Sequence, residues 1–344
     1  MPPVGRRPTL GDIARATGVS AGTVSKVVNG RPDVSAATRR AVNDAISRLG
    51  YVAPGARRSR DTSQMLEFLS GDLVSNYTLE VLRGAYRAAH DAETEVVVES
   101  ALVESREPLR PGRPWLQSLA RAGRIGLLVV ASDLPPDLII DAAATRLPVV
   151  MIDPVNLRDP GVPSVGATNF QGGFAAGEHL LGLGHRRVGV IQGPEAVMGS
   201  TARIHGFRAA FEQAGSPIDP MAIRSADFTY EDGLREGLAL LAQPEPPTAI
   251  FASSDTQALG VLEAARQAGA AVPERLSVVG YDSTILAAMS TPPLTAVRQP
   301  LEEMGAVAVR TLLRLARGEV LDSQHVELAT ELIVRASTAP AATM

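Results

Sequence analysis

The side chains best suited to recognising a small molecule stand where short apolar runs end. Asp153 follows the run 148–152, Asp255 follows 251–254 and Asp282 follows 278–281. Arg203 lies in the tract 201–207, Phe228 follows Ala226 and Asp227, and Asp72 and Tyr77 lie in the tract 71–77. Carboxylates accept hydrogen bonds from adjacent hydroxyls, an arginine donates in a fork, and an aromatic face covers the C–H face of a sugar ring, so this set suits a polyol. A single strand-end aspartate is as often a cap for a helix or loop; the reading rests on the residues taken together. No acid–base pair or phosphate-loop spacing commits the chain to catalysis, and no cofactor is expected.

These residues need a scaffold, and the body of the chain supplies its pattern. Strand-like runs at 65–69, 95–98, 125–130, 148–152, 188–191, 249–252 and 277–281 alternate with helix-like stretches, which predicts a parallel sheet with crossover helices. Ligands of such sheets sit outside the carboxyl ends of the strands, where the candidates lie. Gly172, Gly173 and Gly177 match no nucleotide fingerprint and read as close helix packing. The tract 184–187, Gly-His-Arg-Arg, reads as a helix end with basic groups near its carbonyls.

Charge separates the N-terminal segment from this body. Residues 1–60 hold eleven Arg or Lys against three Asp, a net +8, which leaves 22 basic and 34 acidic residues, −12, in the remainder. A basic head on an acidic body points to a polyanion as the partner of the head. With 344 residues, 45% of them hydrophobic, the chain can bury a large core and divides into more than one domain. The absence of cysteine removes disulfides, thiolate zinc sites and cysteine nucleophiles, and the five histidines are too scattered to suggest a metal cluster. Residues 1–7 lack the apolar run of a secretory signal, and no later run of eighteen apolar residues exists, so the cytoplasm is the expected compartment and no membrane partner is expected.

The head is patterned as well as basic. Thr9 and Asp12 are spaced as a capping box, with the Thr9 hydroxyl placed to accept the third amide of a helix that turns Ile13 and Ala14 inward. Gly18 permits a tight turn, and Ser20 is placed to cap a second helix with Val24, Val27 and Val28 on its inner face. A third helix begins at Ser35 and presents Ala41, Val42, Ala45, Ile46 and Leu49 before Gly50 ends it. The first two form a helix-turn-helix, and the second exposes Ala21, Gly22, Ser25, Lys26 and Asn29 toward a major groove.

These residues, with Gly18-Val19-Ser20, Thr23-Val24-Ser25-Lys26-Val27-Val28-Asn29, Val34-Ser35, Thr38-Arg39 and Leu49-Gly50-Tyr51, resemble the DNA-binding head of the lactose-repressor family. The resemblance implies that Ala21 and Gly22 choose the operator sequence together with Lys26, while Thr9, Thr23, Ser25, Asn29, Ser35 and Thr38 contact phosphates. Ser20 belongs to the same interface. In the family the segment after the head becomes a hinge helix that pushes a leucine into the minor groove; here that position holds Arg60. Arg57, Arg58 and Arg60 are then expected to meet phosphates, with insertion of Arg60 into a narrow groove, or a disordered tether with no role on DNA, the competing readings.

The body from residue 66 to 335 resembles the same family's periplasmic-binding-protein-like core. The implied fold is α/β: a three-helix head, 1–51; a hinge or linker, 52–63; two doubly wound lobes that bind effector and dimerise, 64–338; and a tail, 339–344. The strand-end set then matches the family's effector pocket, with Ser254 and Ser283 standing where asparagine and a second aspartate are usual. The tract 166–173 resembles a saccharide-responsive subgroup. Leucine heptads of a tetramer are absent from the C-terminus, so the expectation is a homodimer on a pseudo-palindromic operator of double-stranded DNA, released by a small saccharide. A corepressor-dependent regulator, a regulator with a non-sugar ligand, a sugar carrier and a sugar-handling enzyme are the competing readings; the carrier would have no use for the basic head.

Overall fold

The computed structural model describes residues 9–28, 31, 34–49, 64–71, 73–100, 112–131, 136–156 and 161–341. Asn29, Arg57, Arg58, Arg60 and Asp72, and the segment 52–63, lie outside them. The chain divides into two compact units, Met1–Ser63 and Gln64–Met344.

In the first unit, α1 (Leu10–Thr17), α2 (Ala21–Val28) and α3 (Ala36–Leu49) bury Ile13, Val24, Val27, Val42 and Ala45 against one another. The capping box forms at α1, and Asp12 accepts from both the amide (2.8 Å) and the hydroxyl (2.6 Å) of Thr9. Gly18 ends α1 at φ 69°, a left-handed conformation that costs glycine little. Ser20 and Ser35 accept the Thr23 and Thr38 amides at 3.1 and 3.2 Å, as N-caps should. Ala41 departs from expectation: it is exposed, because Val42 and Ala45 take the inward stripe and Ala41 lies about 100° round the helix from Val42.

The second unit runs β1 (Gln64–Ser70), α4 (Asn76–Asp91), β2 (Thr94–Ser100), α5 (Arg113–Arg121), β3 (Arg124–Val130), α6 (Pro136–Thr145), β4 (Val149–Ile152) and β5 (Ser164–Ala167). It continues with α7 (Asn169–Gly182), β6 (Val188–Gln192), α8 (Met198–Gln213), β7 (Ile223–Ser225), α9 (Tyr230–Leu241), β8 (Ala249–Ala252), α10 (Asp255–Gln267) and β9 (Ser277–Asp282). The short α11 (Ile285–Met289), β10 (Thr295–Arg298), α12 (Leu301–Ala316), β11 (His325–Leu328) and β12 (Glu331–Ile333) follow. Five of these strands, β5, β7, β10, β11 and β12, carry no run that the sequence pattern identified; they are short, and sheet neighbours rather than their own composition define them.

Among the described residues the strands form two six-stranded sheets, ordered β11-β5-β4-β3-β1-β2 and β12-β10-β9-β8-β6-β7. Each contains the doubly wound order 2-1-3-4-5, whose reversal beside the first strand opens a crevice at the carboxyl edge. Each sheet is covered on both faces: in the first lobe by α4 and α12 over Leu66, Phe68 and Leu128, and by α5 and α6 over Leu127, Val129 and Met151. In the second, α7 and α8 cover Val190, Phe251 and Tyr281, while α9 and α10 cover Ile250 and Val278. The chain passes between lobes three times, after β5, after β10 and after β11.

Close helix contact accounts for the glycines of α7. A Cβ on Gly173 would stand 1.9 Å from the Arg203 carbonyl oxygen of α8, and one on Gly206 of α8 would stand 1.9 Å from the Phe170 carbonyl oxygen. The tract after α7 is less simple than a basic helix end. Arg186 does donate to the Leu181 carbonyl at 3.0 Å. His185, however, is buried, with Nδ1 2.9 Å from the Thr248 hydroxyl and Nε2 3.0 Å from both the Ser277 hydroxyl and the Ala339 carbonyl. Burial pulls its pKa below the ordinary imidazole value, so the ring joins second-lobe segments as a neutral node.

Candidate functional site

In the head, α2 presents its N-terminal residues outward. Ala21, Gly22 and Lys26 are exposed, Thr23 and Ser25 are half-buried, and Val24 and Val27 face the core. Ser20, Thr23, Ser35 and Thr38 sit at the two helix starts, where Ser20 meets Thr23 at 2.9 Å and Ser35 meets Thr38 at 2.8 Å. Thr9 occupies the start of α1. Three helix N-termini carrying small hydroxyl side chains make an arrangement suited to phosphate oxygens. Ala21 and Gly22 add little hydrogen-bonding capacity, which leaves Lys26 as the long donor on that face.

In the second unit, a cleft of about 570 Å³ opens between the carboxyl ends of the two sheets. Tyr77, Asp153, Arg203, Phe228, Asp255 and Asp282 all line it, so the strand-end residues are brought together from six separate places in the chain. Of the six non-glycine residues with positive φ among those described, Ala131 (45°), Asp153 (42°) and Asp282 (96°) line the cleft. Such strain concentrates where surrounding structure holds side chains for a purpose.

Arg203 is the centre of the arrangement. Its Nε donates to Asn169 Oδ1 (2.8 Å), its Nη1 donates to the Ser253 carbonyl (2.7 Å) and lies 3.6 Å from Asp282, and its guanidinium carbon stands 4.0 Å from the centre of the Tyr281 ring. Burial disfavours its charge, but Asp282, Tyr281 and Asp153 outweigh that and hold its pKa above the usual value. Asp282 also accepts from the Gln299 amide at 2.8 Å. In the first lobe, Tyr77 donates to Asp153 at 2.8 Å; burial raises both pKa values, that of Tyr77 strongly, with the Asp153 carboxylate adding to its rise. The Phe228 ring lies against Gly193, whose missing side chain makes room for it.

Asp255 differs from its neighbours. One oxygen accepts from both the amide (2.6 Å) and the hydroxyl (2.9 Å) of Thr284, which fixes the loop after β9, while the other is buried and lacks a protein partner among the described residues. Burial and the nearby Asp282 carboxylate push its pKa well above the usual carboxylate range. Its first task is therefore to hold the loop that carries Asp282. Ser254 caps α10 by accepting from Gln257, and the Ser283 hydroxyl accepts from Arg335 at 2.9 Å, so both unusual serines are occupied by the fold.

Several lining or supporting residues were not assigned to the site: Asn169, which aims Arg203, and the part-exposed Phe170, both within the tract 166–173 that was singled out only as a whole; Gln299, which aims Asp282; Thr284; and the part-exposed Met198. Asn169 and Gln299 sit where the chain passes between lobes, and their partners lie 34 and 17 residues away, so no local spacing marks them.

Comparison with known proteins agrees with both halves. The model of bacterial regulatory proteins of the lacI family matches residues 9–53, and that of the periplasmic binding protein-like domain matches residues 178–338. The HTH-type transcriptional regulator DegA of Bacillus subtilis is 33% identical over 340 residues, covering 96% of this chain and 98% of DegA. The HTH-type transcriptional repressor CytR of Escherichia coli is 32% identical over 332 residues, with 96% of each chain covered. Among solved structures, the lac repressor dimer bound to operator and an anti-inducer superposes with a TM-score of 0.78 at 27% identity over 97% of this chain and all of that one. The CelR–cellobiose complex does so at 0.72 and 30% identity over 96% of this chain and all of that one. A helix-turn-helix head, two doubly wound lobes and relatives matched almost end to end lead to one conclusion: this chain belongs to the LacI family of bacterial regulatory proteins.

Proposed function

We propose that the chain is a sequence-specific transcriptional repressor that binds a pseudo-palindromic operator as a homodimer and is released when a small saccharide fills the cleft. In this reading residues 1–51 form the DNA-binding head and 64–338 the receptor. Lys26, with Ala21 and Gly22, reads base edges, and Thr9, Ser20, Thr23, Ser25, Ser35 and Thr38 address phosphates. Tyr77, Asp153, Arg203, Phe228 and Asp282 address the sugar, with Asp255 holding the Asp282 loop.

The observation that carries the reading is the buried Arg203, flanked by Asp282 and fixed by Asn169, in one cleft with Asp153 and an aromatic wall. That is the mixed donor, acceptor and apolar surface a sugar ring needs. The names of the relatives support it, since CytR is named as a repressor and the CelR structure contains cellobiose. A ligand favouring one arrangement of the lobes by about 1–3 kcal/mol changes operator affinity roughly 5- to 150-fold.

The test is a fluorescence-anisotropy titration of the purified chain against genomic fragments at two salt concentrations, repeated with a panel of mono- and oligosaccharides. The expected result is salt-sensitive binding to particular fragments that one sugar weakens, and loss of that sugar response in Asp282→Asn. A sugar that tightens binding would reverse the sign of regulation, and absence of fragment-specific binding would overturn the proposal.

A further inference from the structure

Resting on the reading of the cleft as a saccharide site, we infer that it selects its ligand by charge, accepting neutral and amino sugars and rejecting acidic or phosphorylated ones. The argument is a count of charges that face the ligand. Among the described residues lining the cleft, Asp153, Asp255, Asp282 and Glu327 are acids, Arg203 is the one guanidinium or ammonium, and His325 is the one imidazole. The Arg203 charge is already answered by Asp282, by two carbonyl oxygens and by the Tyr281 ring. It retains N–H groups for neutral hydroxyls, but its field is largely spent. Glu327 is exposed on the wall that β11 contributes.

The inference does not depend on all the acids being ionised. With Asp255 in its neutral form, as its burial beside Asp282 favours, Asp153 and Asp282, whose pKa values burial raises while Arg203 lowers them, and the exposed Glu327 still face a single guanidinium. Helix N-termini act the other way, and five meet the cleft wall, those of α4, α7, α8, α10 and the short α11, whose Ile285 and Leu286 amides are taken by Glu80 and Thr284. Asp255 itself sits in the first turn of α10, and the Met198 amide at the start of α8 donates to the Val155 carbonyl at 2.9 Å. What remains, at α4 and α7, is partial charge whose effect falls off within a turn.

One net negative charge about 7 Å from a ligand anion, at an effective dielectric near 20, weakens its binding roughly 50-fold. Allowing for the helix ends, the discrimination should exceed about tenfold. An ammonium in place of a hydroxyl meets the opposite field and should bind at least as well as the neutral sugar.

Isothermal titration of the full-length chain tests this with matched forms of one ring at a time: glucose, glucosamine, glucuronate and glucose 6-phosphate, and the corresponding galactose and mannose sets. The expected result is that, for the ring that binds, the uronate and the phosphate are at least tenfold weaker than the neutral sugar and the amine is not. Asp153→Asn, which keeps an acceptor for Tyr77 while removing the charge, should narrow that gap. An acidic or phosphorylated form binding as tightly as its neutral parent overturns the charge rule and leaves the saccharide reading standing. If no member of these sets binds, and none of the mono- and oligosaccharides of the anisotropy panel does either, the saccharide reading itself falls, and the charge rule with it.

Discussion

Gly173→Ala tests whether the cleft is held in place by the contact between α7 and α8. The added Cβ would stand 1.9 Å from the Arg203 carbonyl oxygen, 2.7 Å from its carbon and 3.0 Å from its Cα, all backbone atoms that cannot rotate aside. Restoring even 3.0 Å to the oxygen moves α8 by about 1.1 Å, the difference between those two distances. Overpacking against unyielding atoms costs about 3 kcal/mol, and alanine returns about 1 kcal/mol of helix propensity, which leaves the variant about 2 kcal/mol less stable. The displaced residue is Arg203 itself, so sugar affinity should fall along with stability. Gly182→Ala, on the same helix with no neighbour within 4 Å, is the control and should be stabilising by about 0.5 kcal/mol. Urea unfolding followed by circular dichroism, with sugar titration of the same samples, reads both effects. If Gly173→Ala proves as stable as the wild type, the tight crossing does not set the position of α8 and the reasoning is wrong.

Three further outcomes follow from other parts of the molecule. Lys26→Ala should lose about 1–3 kcal/mol of discrimination at one operator position, measured by anisotropy on single-base operator variants; an equal loss on specific and random DNA would place Lys26 on phosphate instead. Ser20→Ala removes the hydroxyl that accepts the Thr23 amide, a cap worth about 1 kcal/mol, so α2 amides should exchange hydrogen roughly fivefold faster in the intact chain; unchanged exchange would show the cap to be idle. His185 titrates below its unfolded value, so between the two values the unfolded chain binds more protons and stability falls as the pH drops through about 6.5. The stability advantage of wild type over His185→Asn should therefore shrink from pH 7.5 to 5.5 in thermal melts, and an advantage that grows would mean the ring is charged in the fold.

What could be read without the structure was what is local. The caps at Thr9, Ser20 and Ser35 involve partners within three residues, and each helix of the head begins where its cap stands. The buried strands β3, β4, β6, β8 and β9 are mainly apolar and were equally plain. Strand β5, Ser-Val-Gly-Ala, and β11, His-Val-Glu-Leu, pair with each other in parallel across 161 residues of chain, and neither carries a run long enough to stand out alone. Ala41 shows the limit inside a helix, since a small apolar residue beside Val42 fits a helical pattern on either face. His185 looked like part of a basic helix end, because its partners Thr248, Ser277 and Ala339 lie 63 to 154 residues away. Asp255 was legible as a strand-end acid, but its bond to Thr284 depends on how β8 and β9 lie side by side.

The passages between lobes explain why a ligand in this cleft can do more than occupy it. Thr168 and Thr330, on the first and third passages, are joined by a 3.0 Å bond from the Thr330 amide to the Thr168 hydroxyl and a 3.2 Å bond from the Thr330 hydroxyl to the Thr168 carbonyl. Gln299, on the second passage, gives its side-chain amide to the same Asp282 that faces the cleft, and its backbone amide to the Asp282 carbonyl. A sugar hydroxyl that bonds Asp282 therefore shares an acceptor with a segment that joins the lobes. Asp153 and Tyr77 belong to the other lobe, so a ligand spanning both sets has a different free energy at each lobe angle. That difference, and not the affinity as such, is what shifts a conformational equilibrium. A ligand confined to the Asp282 side would bind and change little; one that reaches Asp153 as well has a binding energy that depends on how the two lobes stand to each other.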